Sequence, residues 1–134
     1  MFALVFIIGV VSQSNLFPVT IGKNDSDGVV ENISMKLSAY DWSVECLNID
    51  TKNATVADFL FECAEHYDFS VKKEYWGGYD SFFIEAINDI ENGQDSMYWQ
   101  YYVNDKFADV GCSNYFLNDS DVVEWIFEPR LLKN

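Results

Sequence analysis

The chain has 134 residues, 49% of them apolar and 17% aromatic, which is one domain with ample material for a core. Its 22 acidic residues against 8 basic ones give a formal charge of −14. Such a surface repels phosphate backbones and anionic lipid headgroups, so nucleic acid is excluded as a partner and a membrane is met only through an apolar segment of the chain itself.

One such segment opens the sequence. Phe2 to Val11 (FALVFIIGVV) is an uncharged apolar run, too short to span a bilayer and of the length of a signal-peptide core. Ser12 and Ser14 offer small residues for cleavage after Ser14. Residues 1–14 are read as a signal peptide, or as an N-terminal anchor if uncleaved, and the expected location is extracytoplasmic, secreted or at the cell surface. Four Asn-X-Ser/Thr sequons, at Asn24, Asn32, Asn53 and Asn118, agree with export and with a glycoprotein. Residues 15–28, with Pro18, Gly22 and Asn24-Asp25-Ser26-Asp27-Gly28, read as a linker. The acidic run fails as a calcium loop, since an EF-hand register would put Lys23 and Ser34 at its end ligand positions.

Residues 29–130 carry the domain. Ile33, Met35 and Leu37 alternate with polar neighbours, as in a half-buried strand, and Val44 to Ile49 is a second strand after a turn around Asp41. Thr55 then caps a helix, with Asp58 three residues on. Val56, Phe59, Leu60, Cys63 and Tyr67 recur at helical spacing and are expected to face a sheet. Further strands follow: Phe69 to Lys73, then Ser81 to Ile87, Tyr98 to Val103, and Asp121 to Phe127. Asn92-Gly93 and Asn104-Asp105 are turn signals. Two strands, one helix and several more strands predict an α+β fold, β-grasp-like, with one main helix packed across a mostly antiparallel mixed sheet.

Catalytic motifs are missing. The sequence holds no G-x-S-x-G, P-loop or H-E-x-x-H pattern, and no Cys/His spacing for zinc. Cys63 and His66 share a helix face with nothing to orient them. The three cysteines, Cys46, Cys63 and Cys112, allow one disulfide with a spare thiol or three reduced buried thiols. The expectation is therefore a protein that is not an enzyme and requires no cofactor.

What stands out is the aromatic density between Tyr75 and Tyr102. Tyr75-Trp76-Gly77-Gly78-Tyr79 reads as a loop with three rings around two glycines, suited to bringing backbone and rings against a flat ligand. On the Tyr98–Val103 strand, Trp99, Tyr101 and Val103 take one face, and Tyr98, Gln100 and Tyr102 the other. Trp76, Tyr79, Tyr98, Gln100 and Tyr102 are the candidate ligand-binding residues. Each ring would supply contact area, and the glutamine a hydrogen bond.

Several ordered motifs over residues 30 to 128 resemble the transcobalamin-like C-terminal domain. They are Tyr98-Trp99-Gln100-Tyr101-Tyr102-Val103-Asn104, Gly111 with Tyr115, and Asp119-Ser120-Asp121 leading to Trp125. Upstream, Thr55-Val56-Ala57-Asp58 is similar to the family's helix start, and Gly78-Tyr79 with Phe82-Phe83-Ile84 to its middle strand. Asp105 and Ser120 depart from it, since the family carries Gly at both turn positions. The resemblance implies a β-grasp-like domain of secreted and cell-surface proteins. It makes cobalamin, or another flat corrinoid-like molecule, the candidate ligand, because in the animal cobalamin carriers this domain forms one wall of the site. The partner is then a small-molecule ligand. The alternative is a structural or adhesive domain that meets a cell-surface protein.

Overall fold

The computed structural model describes residues 28–130. The expected signal segment, most of the linker and the Asn24 sequon lie outside them. Among these residues, eight strands and one α-helix follow in the order β1 (Val30–Ala39), β2 (Trp42–Thr51), α1 (Val56–Tyr67), β3 (Val71–Trp76), β4 (Ser81–Ile87), β5 (Ile90–Glu91), β6 (Met97–Val103), β7 (Lys106–Phe107) and β8 (Val122–Pro129). Five of the strands form one sheet in the order β2-β1-β8-β6-β7. Strands β1 and β8 run parallel at its centre and every other pair is antiparallel. The α+β, β-grasp-like expectation describes this sheet well.

Alternation decides what the sheet buries. Ile33, Met35, Leu37, Trp99, Tyr101, Val103, Val123, Trp125 and Phe127 point to one face and form a single core with Val56, Phe59, Leu60 and Cys63 of α1. Thr55 caps the helix as expected, its Oγ1 accepting from the Asp58 N–H at 3.1 Å. The helix stops at Asp68, in the left-handed region at φ 58°. Tyr67 differs from the expectation. It is exposed on the last turn, whereas Phe69, just past the cap, is buried edge-on to Trp42. Cys46 of β2 and Cys63 of α1 are joined in a disulfide that ties helix to sheet, and Cys112 remains a buried free thiol.

The remaining strands make a second, three-stranded sheet, β3-β4-β5, that the sequence pattern did not separate from the first. Strand β3 runs on through Tyr75 and Trp76, which the sequence reading placed in a loop. They pair across the ladder with Phe82 and Ser81, and the turn is confined to residues 77–80. Large rings favour such cross-strand pairs, and this outweighs the pull of the neighbouring glycines. The β4–β5 reversal is made by Asn88 and Asp89, both at positive φ (54° and 63°), the backbone of a two-residue hairpin turn. Asn92-Gly93 instead opens a short 3-10 turn, Gln94–Ser96, that leads back to the main sheet.

Two polar side chains lock the end of the central strands. Buried Asp121 accepts from Asn104 Nδ2 and from the Asn118 N–H, both at 2.8 Å, and Asn104 Oδ1 accepts from the Val122 N–H at 2.9 Å. The two departures from the family's glycines, Asp105 and Ser120, sit at φ 70° and 68°. Glycine adopts that backbone freely, and Asp or Ser does so at a small cost.

Candidate ligand cleft

The β3–β4 hairpin stands at the edge of the molecule with its rings only partly covered. Its turn is closed by the Tyr79 N–H donating to the Trp76 carbonyl at 3.1 Å and the Asp80 N–H to the Gly77 carbonyl at 3.2 Å. The Tyr75 hydroxyl donates to the Asp80 carboxylate. Trp76 stacks on Phe83, with centroids 4.9 Å apart and planes at 24°, and Tyr79 leans on Trp76 at 6.0 Å. Trp76 is still 43% exposed and Tyr79 71%. The other side of the hairpin is anchored, because Phe82 lies edge-on to both Phe61 of α1 and Tyr75.

Opposite the hairpin lies the Gly111–Asn114 turn, held very close. The Ser113 N–H donates to Ser81 Oγ at 3.2 Å, Ser113 Oγ accepts from the Phe82 N–H at 3.0 Å, and Asn114 Nδ2 donates to the Tyr79 carbonyl at 3.1 Å. Between turn and hairpin opens a cleft of about 380 Å³ lined by Trp76, Tyr79, Ser81, Phe82, Phe83, Gly111 and Asn114. Ligand sites commonly start near this size and combine apolar walls with a few polar groups. No charged side chain lines the cleft. Its polar groups are the Ser81 hydroxyl, already donating to the Phe82 carbonyl at 3.0 Å, the Asn114 amide and the Tyr79 phenol. A wider cavity of about 670 Å³ opens on the far side of Asn114, lined among others by Lys106, Asp109, Tyr115 and Phe116.

Of the five candidate residues, Trp76 and Tyr79 line the cleft. Tyr98, Gln100 and Tyr102 lie elsewhere, on the face of the main sheet turned away from its core, and none of the cavities described above includes them. The period of two that buries Trp99 and Tyr101 requires this. There Gln100 Nε2 donates to Glu128 Oε2 and to the Pro129 carbonyl, both at 3.1 Å, and the Tyr102 hydroxyl donates to the same carboxylate. Desolvation, then the hydrogen bond to Glu128, pushes the Tyr102 phenol up to about 12. The Arg130 guanidinium sits 4.4 Å from the Tyr98 ring centre. Sequence reasoning missed Phe83, Ser81 and Asn114 as cleft residues.

A mixed β-grasp sheet with one helix on its inner face and an aromatic hairpin over a cleft defines a small α+β module of the transcobalamin-like kind. The chain belongs to the family described as domain of unknown function (DUF4430), whose model matches residues 53–129. Its fold is similar to that of haptocorrin, solved in complex with Cbi, with a TM-score of 0.65 at 12% identity over 87% of this chain and 27% of haptocorrin. The chain thus spans about a quarter of haptocorrin's length. It is also similar to a protein of Ruminococcus gnavus ATCC 29149, provisionally described as metal binding, with a TM-score of 0.58 at 14% identity over 75% of this chain and 99% of that one. At these identities the likeness is one of fold. No curated protein sequence matches the chain. Among the described residues, no group of three or more His, Cys, Asp or Glu is placed to hold a metal, and no helix is long and apolar enough to cross a membrane.

Proposed function

We propose that the chain is a non-catalytic, extracytoplasmic binding module that holds a flat, neutral small molecule in the cleft under the β3–β4 hairpin, with a corrinoid as the leading candidate. The observation that carries this reading is the Trp76–Phe83–Tyr79 stack, left partly open to water over a cavity while the core has rings of its own. Large rings exposed together beside a concavity gain contact energy only when something flat covers them. A corrinoid is favoured among flat ligands by the fold shared with haptocorrin, which is solved with Cbi. A module of this size would cover one face of such a ring system. The absence of chemistry is supported by the cleft lining, which offers the Ser81 hydroxyl, already hydrogen-bonded, and the Tyr79 phenol, and no histidine, carboxylate or lysine. Export is supported by the Cys46–Cys63 disulfide, a bond that persists in oxidising compartments.

Titration with cobinamide, read by calorimetry and by quenching of tryptophan fluorescence, tests the reading. The W76A/Y79A variant is expected to lose at least about tenfold in affinity while its stability falls by no more than about 1 kcal/mol, since both rings are exposed. Wild-type protein that gives neither heat nor quenching would remove the corrinoid. A variant that unfolds would make the two rings structural.

The alternative, an adhesive or structural contact domain, is supported by the outward face of the main sheet, where Tyr98, Tyr102 and Ile126 lie half-buried beside Glu124 and Glu128. Cell-surface binding that survives W76A/Y79A and fails in Y98A/Y102A would assign the function to that face.

A further inference from the structure

The segment between the Gly111–Asn114 turn and β8 is pinned in an extended form. The Val56 N–H donates to the Tyr115 carbonyl at 3.0 Å and the Leu117 N–H to the Ala54 carbonyl at 2.7 Å, so Phe116 lies antiparallel to Thr55 at the start of α1. A reverse turn follows at once. The Asp121 N–H donates to the Asn118 carbonyl at 3.1 Å, and the Asp121 carboxylate accepts from the Asn118 N–H at 2.8 Å. In an extended chain successive side chains take opposite sides. Leu117 accordingly enters the core at 4% exposure, while Phe116 and Asn118 are both exposed and both line the open depression of about 670 Å³. Phe116 is 70% exposed, so burial does not account for a ring held there by a fixed backbone.

Asn118 opens the sequon Asn118-Asp119-Ser120, and its hydrogen bonds run through its backbone. The other two sequons of the described residues differ. The Asn32 amide is engaged at both ends, Nδ2 donating to Ser120 Oγ at 3.2 Å and Oδ1 accepting from Asn48 Nδ2 at 2.7 Å, and its hydroxyl partner Ser34 is buried. Asn53 Nδ2 donates to Glu62 Oε1 at 3.0 Å, and the hydroxyl of that sequon, on Thr55, caps α1. A sugar on Asn32 or Asn53 therefore competes with contacts of the folded protein. On Asn118 it competes with none of the side-chain bonds just named.

We propose that Asn118 is a site of N-linked glycosylation and that the first sugar of its glycan lies on the Phe116 ring. The inference rests on export, as read above, and is independent of the hairpin cleft. Two steps of extended chain separate the Phe116 and Asn118 side chains by about 7 Å, a span that a sugar on Nδ2 covers by folding back along the strand. One face of a β-linked N-acetylhexosamine carries axial C–H groups, and the negative face of an aromatic ring attracts such hydrogens. The donor is an oligosaccharide linked through phosphate to a membrane lipid, presented by an oligosaccharyltransferase. Asn118 Nδ2 forms a bond to the anomeric carbon of the sugar, the bond from that carbon to the phosphate oxygen breaks, and the amide gives up one proton as the lipid phosphate leaves.

The full chain, carrying N24Q so that only the sequons at Asn32, Asn53 and Asn118 remain, is expressed in a secreting eukaryotic host, once with its own N-terminal segment and once with a host signal peptide placed before it. Peptide mapping before and after treatment with peptide N-glycosidase locates the glycan. It is expected on Asn118, and N118Q should remove it. Melting curves test the ring. Enzymatic removal of the glycan should lower Tm by about 3 °C in the parent protein and by less than about 1 °C in F116A, where the same Asn-to-Asp conversion occurs without a ring beneath the sugar. A glycan on Asn32 or Asn53 with Asn118 bare would overturn the assignment, as would a protein secreted behind the host signal with no glycan at all. Equal shifts in Tm for the parent and F116A would overturn the role of Phe116. Glycosylation of Asn118 behind the host signal alone would support the site and count against export by the chain's own segment.

Discussion

Replacing Gly111 with alanine asks whether the cleft depends on the close approach of two chain segments. A methyl group there would lie 2.6 Å from Ser81 Oγ and 2.7 Å from Ser81 Cβ, whereas non-bonded carbons rest about 3.5–4.0 Å apart. Rotating the serine hydroxyl relieves the first contact and leaves the second, so β4 or the Gly111–Asn114 turn must retreat by roughly 1 Å. That movement strains the Ser113 N–H to Ser81 Oγ and Phe82 N–H to Ser113 Oγ bonds. The backbone at Gly111, φ −59° and ψ 142°, is open to alanine, so the whole effect is steric. Overpacking of this kind costs about 1–3 kcal/mol. Urea unfolding of wild type, G111A, S81G and S81G/G111A isolates the contact. S81G alone leaves the Ser113 N–H without its acceptor and costs about 1–2 kcal/mol. In the double variant the methyl enters the space that serine vacated, so the pair should be at least about 1 kcal/mol more stable than the singles sum to. Additivity within about 0.5 kcal/mol, or a G111A protein as stable as wild type, would refute the account.

Three further outcomes are expected. The Cys46–Cys63 bond closes a loop with a sequence separation of 17, so C46A/C63A should lower unfolding free energy by about 3 kcal/mol in non-reducing urea titrations; a loss below about 0.5 kcal/mol would show that the cross-link does not constrain the unfolded chain. In D121A the Asn118 N–H and the Asn104 amide lose their acceptor, and a loss of about 2–3 kcal/mol should appear in the same assay; a neutral effect would mean that water replaces the carboxylate. Desolvation pushes the Cys112 thiol from 9.0 up to about 11, so the folded state keeps a proton that the unfolded chain releases. Its stabilising contribution is intact below about pH 9 and disappears as pH climbs toward 11. Melting curves across that window should fall less steeply for C112A, and an equal fall in both proteins would assign it to other groups.

The elements easiest to read from the residues were those whose signal is local. Thr55 capping and the spacing of Val56, Phe59, Leu60 and Cys63 define α1 without reference to any other segment, and the alternation of Val123, Trp125 and Phe127 defines the inner face of β8. Asn104-Asp105 marks its turn because both residues tolerate positive φ. The division into two sheets was not legible, since which strands pair depends on contacts between distant segments, and no alternation pattern records the partner. Tyr75 and Trp76 looked like loop residues because two glycines follow them. The cleft was half legible. Exposed rings can be suspected from their number, which led to Trp76 and Tyr79, but Phe83 shares their surface only through the diagonal geometry of the β3–β4 ladder. Gly111 matters through a contact 30 residues away in sequence, which no local pattern reveals.

The central position of β8 also governs when the domain acquires its shape. Residues 122–129 insert between the first strand and the sixth, so until they are synthesised β1 and β6 have no shared neighbour and the two halves of the main sheet remain separate. A nascent chain therefore completes its main sheet only in one late step, with the slow search that long-range pairing imposes. Premature termination inside β8 would accordingly yield a chain with no stable main sheet, a product that quality-control proteases clear, in place of a weakened version of the mature domain.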